Sequence, residues 1–278
     1  MCDETLFKFL GREVKPYGVW LAVGILACFI VLYLFTKKKN VPTDVQDYIF
    51  FVGVAAIAIG FFFAHLFQVF YIYLETGVFN FMQGGITVMG GIFGGALSFI
   101  AVYFGMGNLF FRDARAGIYK KYFKEVLIIA PLCITIAHAF GRIGCMCAGC
   151  CYGRETASII GIENAGAVRV PVQLFEAGFL FILFGVLAYL YLKRCNNTLS
   201  IYLIAYSIWR FIIEFFRDDP RAGLKETKLE PSQWMSFIFL FVGIGLIVFY
   251  KIRKVPFFEK VKKEQVEETD NVASEQAE

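Results

Sequence analysis

Histidine is the scarcest chemistry-bearing residue in this 278-residue chain, which holds only two, and charged residues of both signs make up only 18%. So small a charged share, with so much apolar chain around it, excludes an ordinary soluble domain, in which about 25% of residues are charged. The strict alternation of apolar and polar residues that a membrane β-barrel needs is also missing. No internal repeat is visible, and no matched pair of Gly- or Pro-broken apolar segments marks an inverted-repeat transporter. The first apolar stretch runs into Lys37, Lys38 and Lys39 with no small-residue cleavage site, so no cleavable signal peptide is expected. The net charge of +4 reflects loop topology, and nucleic acid is not an expected partner.

What fills the chain is apolar: 58% of residues are hydrophobic and 18% aromatic, and the mean hydropathy is +0.63. Seven apolar stretches, at about 17–36, 48–72, 84–106, 125–143, 172–192, 199–216 and 233–250, approach the roughly 20 residues that a helix needs to cross hydrocarbon. Hydrophobicity on all sides argues for helices. The expected fold is therefore an all-α integral membrane protein, a bundle of about seven transmembrane helices. It forms one domain over 1–258, followed by a polar tail at 259–278 that lacks aromatics and is expected to be disordered. Basic residues cluster after the first helix (Lys37–Lys39), before the fourth (Lys120, Lys121, Lys124) and after the seventh (Lys251, Arg253, Lys254). That bias places the N-terminus outside and the C-terminus in the cytoplasm.

Against this background two segments stand out. His138–Arg154 (HAFGRIGCMCAGCCYGR) sets His138, Arg142 and four cysteines at the end of an apolar stretch. Tyr206–Pro220 (YSIWRFIIEFFRDDP) carries Arg210, Glu214 and Arg217 at i, i+4 and i+7, one helical face. Ionisable groups at membrane depth are costly and mark binding or reaction sites. An arginine fork matches phosphate or carboxylate oxygens. The plain structural alternative is an Arg210–Glu214 ion pair with Arg217 snorkelling, but two cations and one anion leave a net positive charge.

Other candidates are weaker. The Gly-rich run Gly84–Gly95 opens the third helix, where a helix N-terminus can meet an anion or glycines can let helices approach closely. Close packing is the better account of Gly94 and Gly95, whereas Gly84 and Gly85 sit at the aqueous edge. Cys145, Cys147, Cys150 and Cys151 read C-x-C-x-x-C-C. They fit a metal site, a redox pair through Cys147 and Cys150, or a tight structural loop with or without a disulfide. A zinc site usually splits its ligands into two separated pairs, and His138 is the only histidine nearby. His65 reads as a satisfied core histidine, and Tyr17 with Gly18 opens the first helix as an aromatic anchor.

Five segments, in order from residue 16 to 220, resemble the prolipoprotein diacylglyceryl transferase family. They are PYGVW at Pro16–Trp20, GGITVMGG at Gly84–Gly91, GRIGCMCAGCCYG at Gly141–Gly153, PVQLFEA at Pro171–Ala177 and the Arg210–Glu214–Arg217 helix. The resemblance implies a seven-helix bacterial enzyme that moves the diacylglyceryl group of phosphatidylglycerol onto the lipobox cysteine thiol of prolipoprotein signal peptides. The reaction would occur at the outer face of the cytoplasmic membrane, with membrane lipids as partners and no metal or organic cofactor. It implies catalytic roles for Arg142, Arg210, Glu214, His138 and Tyr17. Substrate contacts would come from Arg142, Gly84, Gly85, Gly144, Cys145, Gly153 and Arg217. Three positions depart from the family pattern: Met89 stands where the family has histidine, Cys145 where it has asparagine, and Cys150 where it has glutamate. His138, one turn before Arg142, is then the expected thiol base. Two other classes stay open: a related phospholipid-dependent transferase with another acceptor, and a membrane thiol redox or metal-binding protein built on the cysteines.

Overall fold

A computed structural model describes residues 7–9, 12–82, 85–112, 116–164, 166–218 and 229–259. The expected disordered tail and Gly84 lie outside the described residues, apart from Glu259 at the tail's first position. The described residues form seven helices: α1 (Pro16–Lys38), α2 (Thr43–Thr76), α3 (Val88–Phe110), α4 (Ile118–Cys147), α5 (Val172–Leu192), α6 (Thr198–Glu214) and α7 (Pro231–Ile252). All except α6 are long and apolar enough to cross a membrane. The chain is an all-α integral membrane protein. Helix α6 has 17 residues, roughly 26 Å at 1.5 Å per residue, and it is the helix that carries Arg210 and Glu214.

Two short antiparallel pairs were not expected: β1 (Phe7–Phe9) with β2 (Arg12–Val14), and β3 (Ile162–Asn164) with β4 (Ala167–Arg169). Each strand has three residues, too few to show an alternating pattern in sequence. Helix ends also differ from expectation. Helix α4 does not stop near residue 143 but continues to Cys147, because its left-handed stop residue is Gly149 at φ +66°. Cys145 and Cys147 therefore belong to the last turns of a helix, and only Cys150 and Cys151 lie in the turn beyond it. Helix α6 ends at Glu214, and Arg217 forms a backbone bridge to Gly153. The i+7 face expected for Arg217 is thus broken after Glu214.

The chain divides into two compact units, one of residues 32–127 and one of residues 1–31 with 128–278. In the first, Val45, Tyr48, Ile49 and Val52 of α2 pack with Tyr103, Phe111 and Tyr119. Buried tyrosines need partners for their hydroxyls, and these have them: Tyr48 Oη donates to the Tyr103 carbonyl (2.6 Å) and Tyr103 Oη to the Tyr119 carbonyl (2.6 Å). Helix α3 lies tight on α2 through glycine. A Cβ at Gly90 would sit 2.7 Å from the Phe63 carbonyl, and one at Gly94 would enter the Phe63 ring. In the second unit, α1 meets α4 at Gly24, where a Cβ would lie 2.9 Å from the Ala137 carbonyl. Helix α5 meets α6 through the stacked rings of Phe179 and Trp209, 4.5 Å apart.

Candidate functional site

The second unit gathers the ionisable residues of α4, α5 and α6 around one carboxylate. Glu176, on α5 and 1% exposed, receives a bond from Arg142 Nη2 at 3.0 Å and one from the Tyr206 hydroxyl at 2.9 Å. His138 Nε2 lies 3.8 Å from the same oxygen, Oε1. The His138 ring meets the Tyr206 ring edge-on at 5.3 Å. The i, i+4 spacing that joins His138 to Arg142 on α4 also joins Tyr206 to Arg210 on α6. Arg210 Nη2 is 2.8 Å from Glu214 Oε2, and that carboxylate is buried as well. Both arginines lie within electrostatic range of Glu176.

Glu176 changes the charge balance read from sequence. Arg142 and Arg210 are matched by two carboxylates, not one. Each arginine nevertheless keeps donors in reserve: Arg142 Nε and Arg210 Nη1 are buried without a hydrogen-bond acceptor among the described residues. Leaving a buried guanidinium N–H unbonded is expensive. Two such groups on neighbouring helices suit an anion with several acceptor oxygens.

The turn after α4 closes the edge of this cluster. Gly149 reverses the chain, Cys151 adopts φ +59°, and Gln173 Nε2 of α5 donates to the Cys150 carbonyl at 2.7 Å. Gly153 then lies against the end of α6, with Arg154 N–H donating to the Phe216 carbonyl at 3.0 Å. A Cβ at Gly153 would fall 2.5 Å from the Val170 carbonyl and 2.9 Å from that of Phe216, so only glycine fits. Arg169 holds the same corner through Glu155 (3.0 Å), Asp218 (3.4 Å) and the face of Tyr152. Gly144 serves α1 similarly, since its Cβ would touch Tyr17 at 3.2 Å and Trp20 at 3.3 Å. Tyr17 is half-buried and lies within electrostatic range of Arg142 and of Cys145, Cys150 and Cys151.

The Cys147–Cys150 pair, one of the alternatives open in the sequence, is not formed. The sulfurs that converge belong to Cys145, Cys150 and Cys151, within 4.8 Å of one another. Cys147 is two residues beyond Cys145 on a helix, about 200° around it, and so faces elsewhere. Hydrogen bonds with Cys145 and Cys151 push the Cys150 thiol well above its ordinary value. The contacts with Cys145 and Cys150, aided by Arg217 and Arg142, hold that of Cys151 well below.

The Gly-rich loop belongs to the other unit. Gly85 is open on its Cα face, and its carbonyl is 3.1 Å from His65 Nδ1, while His65 Nε2 is 2.8 Å from the Phe81 carbonyl. His65 is thus a loop-holding residue more than a core one. Helix α3 begins at Val88, and both the N–H and hydroxyl of Thr87 bond the Ala64 carbonyl at 3.0 and 3.1 Å. Gly85 therefore precedes the helix and does not form its first turn.

Of the expected site residues, the structure brings together His138, Arg142, Arg210 and Glu214, with Tyr17, Gly144, Cys145, Gly153 and Arg217 at the border. Sequence reasoning missed Glu176 and Tyr206. The signal for Glu176 was present, a lone acid inside the apolar run VQLFEAGFLF, the same criterion that singled out Arg210.

Comparison with known proteins gives the family. The chain matches the family described as prolipoprotein diacylglyceryl transferase over residues 4–249. It is 32% identical to phosphatidylglycerol--prolipoprotein diacylglyceryl transferase 2 of Clostridium perfringens, over 90% of this chain and 95% of that one. It is 29% identical to the phosphatidylglycerol--prolipoprotein diacylglyceryl transferase of Clostridium tetani, over 90% and 98%. It is 28% identical to that of Streptococcus sanguinis, over 94% and 100%. With its helices, its buried arginine pair and these matches across nearly its whole length, the chain belongs to the prolipoprotein diacylglyceryl transferase family.

Proposed function

We propose that this chain transfers the diacylglyceryl group of phosphatidylglycerol to the thiol of a lipobox cysteine in prolipoproteins. It works in the cytoplasmic membrane, as one catalytic domain with its site toward the outer face. The observation that carries the chemistry is the arginine pair. Each guanidinium spends one nitrogen on a buried carboxylate and holds another, Arg142 Nε or Arg210 Nη1, without an acceptor.

The substrate sulfur attacks the glyceryl carbon that bears the phosphate ester oxygen. A C–S bond forms and the C–O bond breaks, and its electron pair leaves on the phosphate of glycerol phosphate. Negative charge grows on that phosphate, where Arg142 and Arg210 are held in advance by Glu176 and Glu214. Donors set in place before reaction, in a site of low dielectric, are worth most in the transition state. The thiol proton goes to His138, whose Nε2 lies 3.8 Å from Glu176 Oε1. Tyr17, Gly144 and Cys145 border the reacting region, and Gly153 and Arg217 contact the headgroup or shape the loops around it. The nucleophile belongs to the substrate. A diacylglyceryl thioether on Cys145 or its neighbours would be a poor leaving group and would halt the enzyme after one turnover.

Cys145 and Cys150, which replace a family asparagine and glutamate, favour a second reading: the same lipid donor with a different acceptor. Rescue separates the two. Expression in a cell depleted of its own prolipoprotein diacylglyceryl transferase should restore lipidated prolipoproteins, and the Arg142→Ala variant should not. Failure of a stably expressed native chain to rescue, with phosphatidylglycerol still consumed in membranes, supports the other acceptor.

A further inference from the structure

The backbone around Cys145, Cys150 and Cys151 is itself fixed. Cys145 sits in the last turns of α4, and Gly149 in the left-handed region turns the chain back. The Cys150 N–H donates to the Cys145 carbonyl at 3.2 Å, and Gln173, 1% exposed, holds the Cys150 carbonyl. Cys151 takes a positive φ that a side-chain-bearing residue rarely adopts. Together these features aim three sulfurs at one point.

We propose that Cys145, Cys150 and Cys151 form a site for a thiophilic closed-shell cation, Zn(II) or Cu(I), that clasps the end of α4 to the turn beyond it. A metal about 2.3 Å from each sulfur sets the sulfurs roughly 3.8–4.0 Å apart. All three sulfurs already lie within 4.8 Å of one another, so a closure of no more than about an ångström is needed. The group offers three soft sulfurs and no carboxylate or imidazole, a donor set for Zn(II) or Cu(I) and not for Mg(II) or Ca(II). Charge agrees: three thiolates on a divalent ion leave one negative charge, and Arg142 and Arg217 lie within range of Cys151 to offset it. Protons still held on the thiols leave as the metal binds. Thioether formation on the substrate calls for no metal, so the cation's task is to hold the turn that borders Arg142 and Tyr17.

Metal content, read without turnover, keeps this inference separate from the transferase reading. Purified full-length protein in detergent is reduced, incubated with Zn(II) or, anaerobically, with Cu(I), dialysed, and assayed for metal. About one equivalent should be retained, with Cys150→Ser and Cys151→Ser losing it and Cys147→Ser keeping it. The ion retained in that comparison identifies the occupant. A measurement on the unmutated chain guards against misfolded variants: the metal should protect all three thiols from N-ethylmaleimide, and a chelator should expose them. Less than a tenth of an equivalent of either ion, retention unchanged in Cys151→Ser, or a disulfide between two of the three cysteines in the isolated protein would overturn the proposal.

Discussion

Glu176 accepts from Arg142 and Tyr206 through a single oxygen, so its charge holds residues of two other helices at once. Removing one partner of a buried ion pair leaves an uncompensated charge, which costs about 3–5 kcal/mol. Glu176→Gln should therefore lower thermal stability markedly and lower turnover with it. Tyr206→Phe, which removes one hydrogen bond, should cost about 1 kcal/mol. Unfolding of the purified variants in detergent checks the order; equal effects would mean that Glu176 carries no charge in the folded protein. His138 shares the same oxygen, and its role is read kinetically. A thiol base must be neutral, so turnover should fall on the acid side in native protein, and His138→Gln should both slow turnover and erase that limb. An unchanged rate and profile would make His138 a structural residue. Legibility at this scale was uneven. Arg142, Arg210 and Glu214 were readable because charge is conspicuous in an apolar run. Glu176 obeyed the same rule but carried no cationic neighbour in sequence, its partners being on α4 and α6.

Helices were legible where apolar residues surround the whole cylinder, and their ends were legible only where a stop residue was weighed. Gly149 marks the end of α4 by the usual left-handed stop, and reading it would have placed Cys145 and Cys147 on the helix. The break after Glu214 had no such marker. It follows from the pairing of Gly153 with Arg217, a contact between segments more than 60 residues apart that local pattern cannot show. That corner gives an element-scale prediction. Gly153→Ala meets two backbone carbonyls that cannot turn away, and it should destabilise by about 1–3 kcal/mol, as overpacking does. Gly85→Ala meets nothing within 4 Å and should leave stability unchanged. Comparing the melting temperatures of the two variants checks the contrast, and a Gly85→Ala protein as unstable as Gly153→Ala would refute it.

At the scale of the whole molecule, the charges that are expensive in a membrane protein gather on α4, α5 and α6, around Glu176 and Glu214. The membrane helices were legible from hydropathy, and the reaction class from five short segments in order. The three-sulfur cluster was not, because C-x-C-x-x-C-C allows several pairings and only the fold of the turn selects Cys145, Cys150 and Cys151. The central claim is that Arg142 and Arg210 stabilise the departing phosphate, and a direct test is transfer from phosphatidylglycerol to a lipobox peptide, followed by mass spectrometry. The native chain should yield the diacylglyceryl thioether and glycerol phosphate in equal amounts. Arg210→Ala and Arg142→Ala should each slow the reaction about 10²–10³-fold, and Arg→Lys should rescue poorly because an ammonium lacks the planar fork. A fully active Arg210→Ala enzyme would contradict the account.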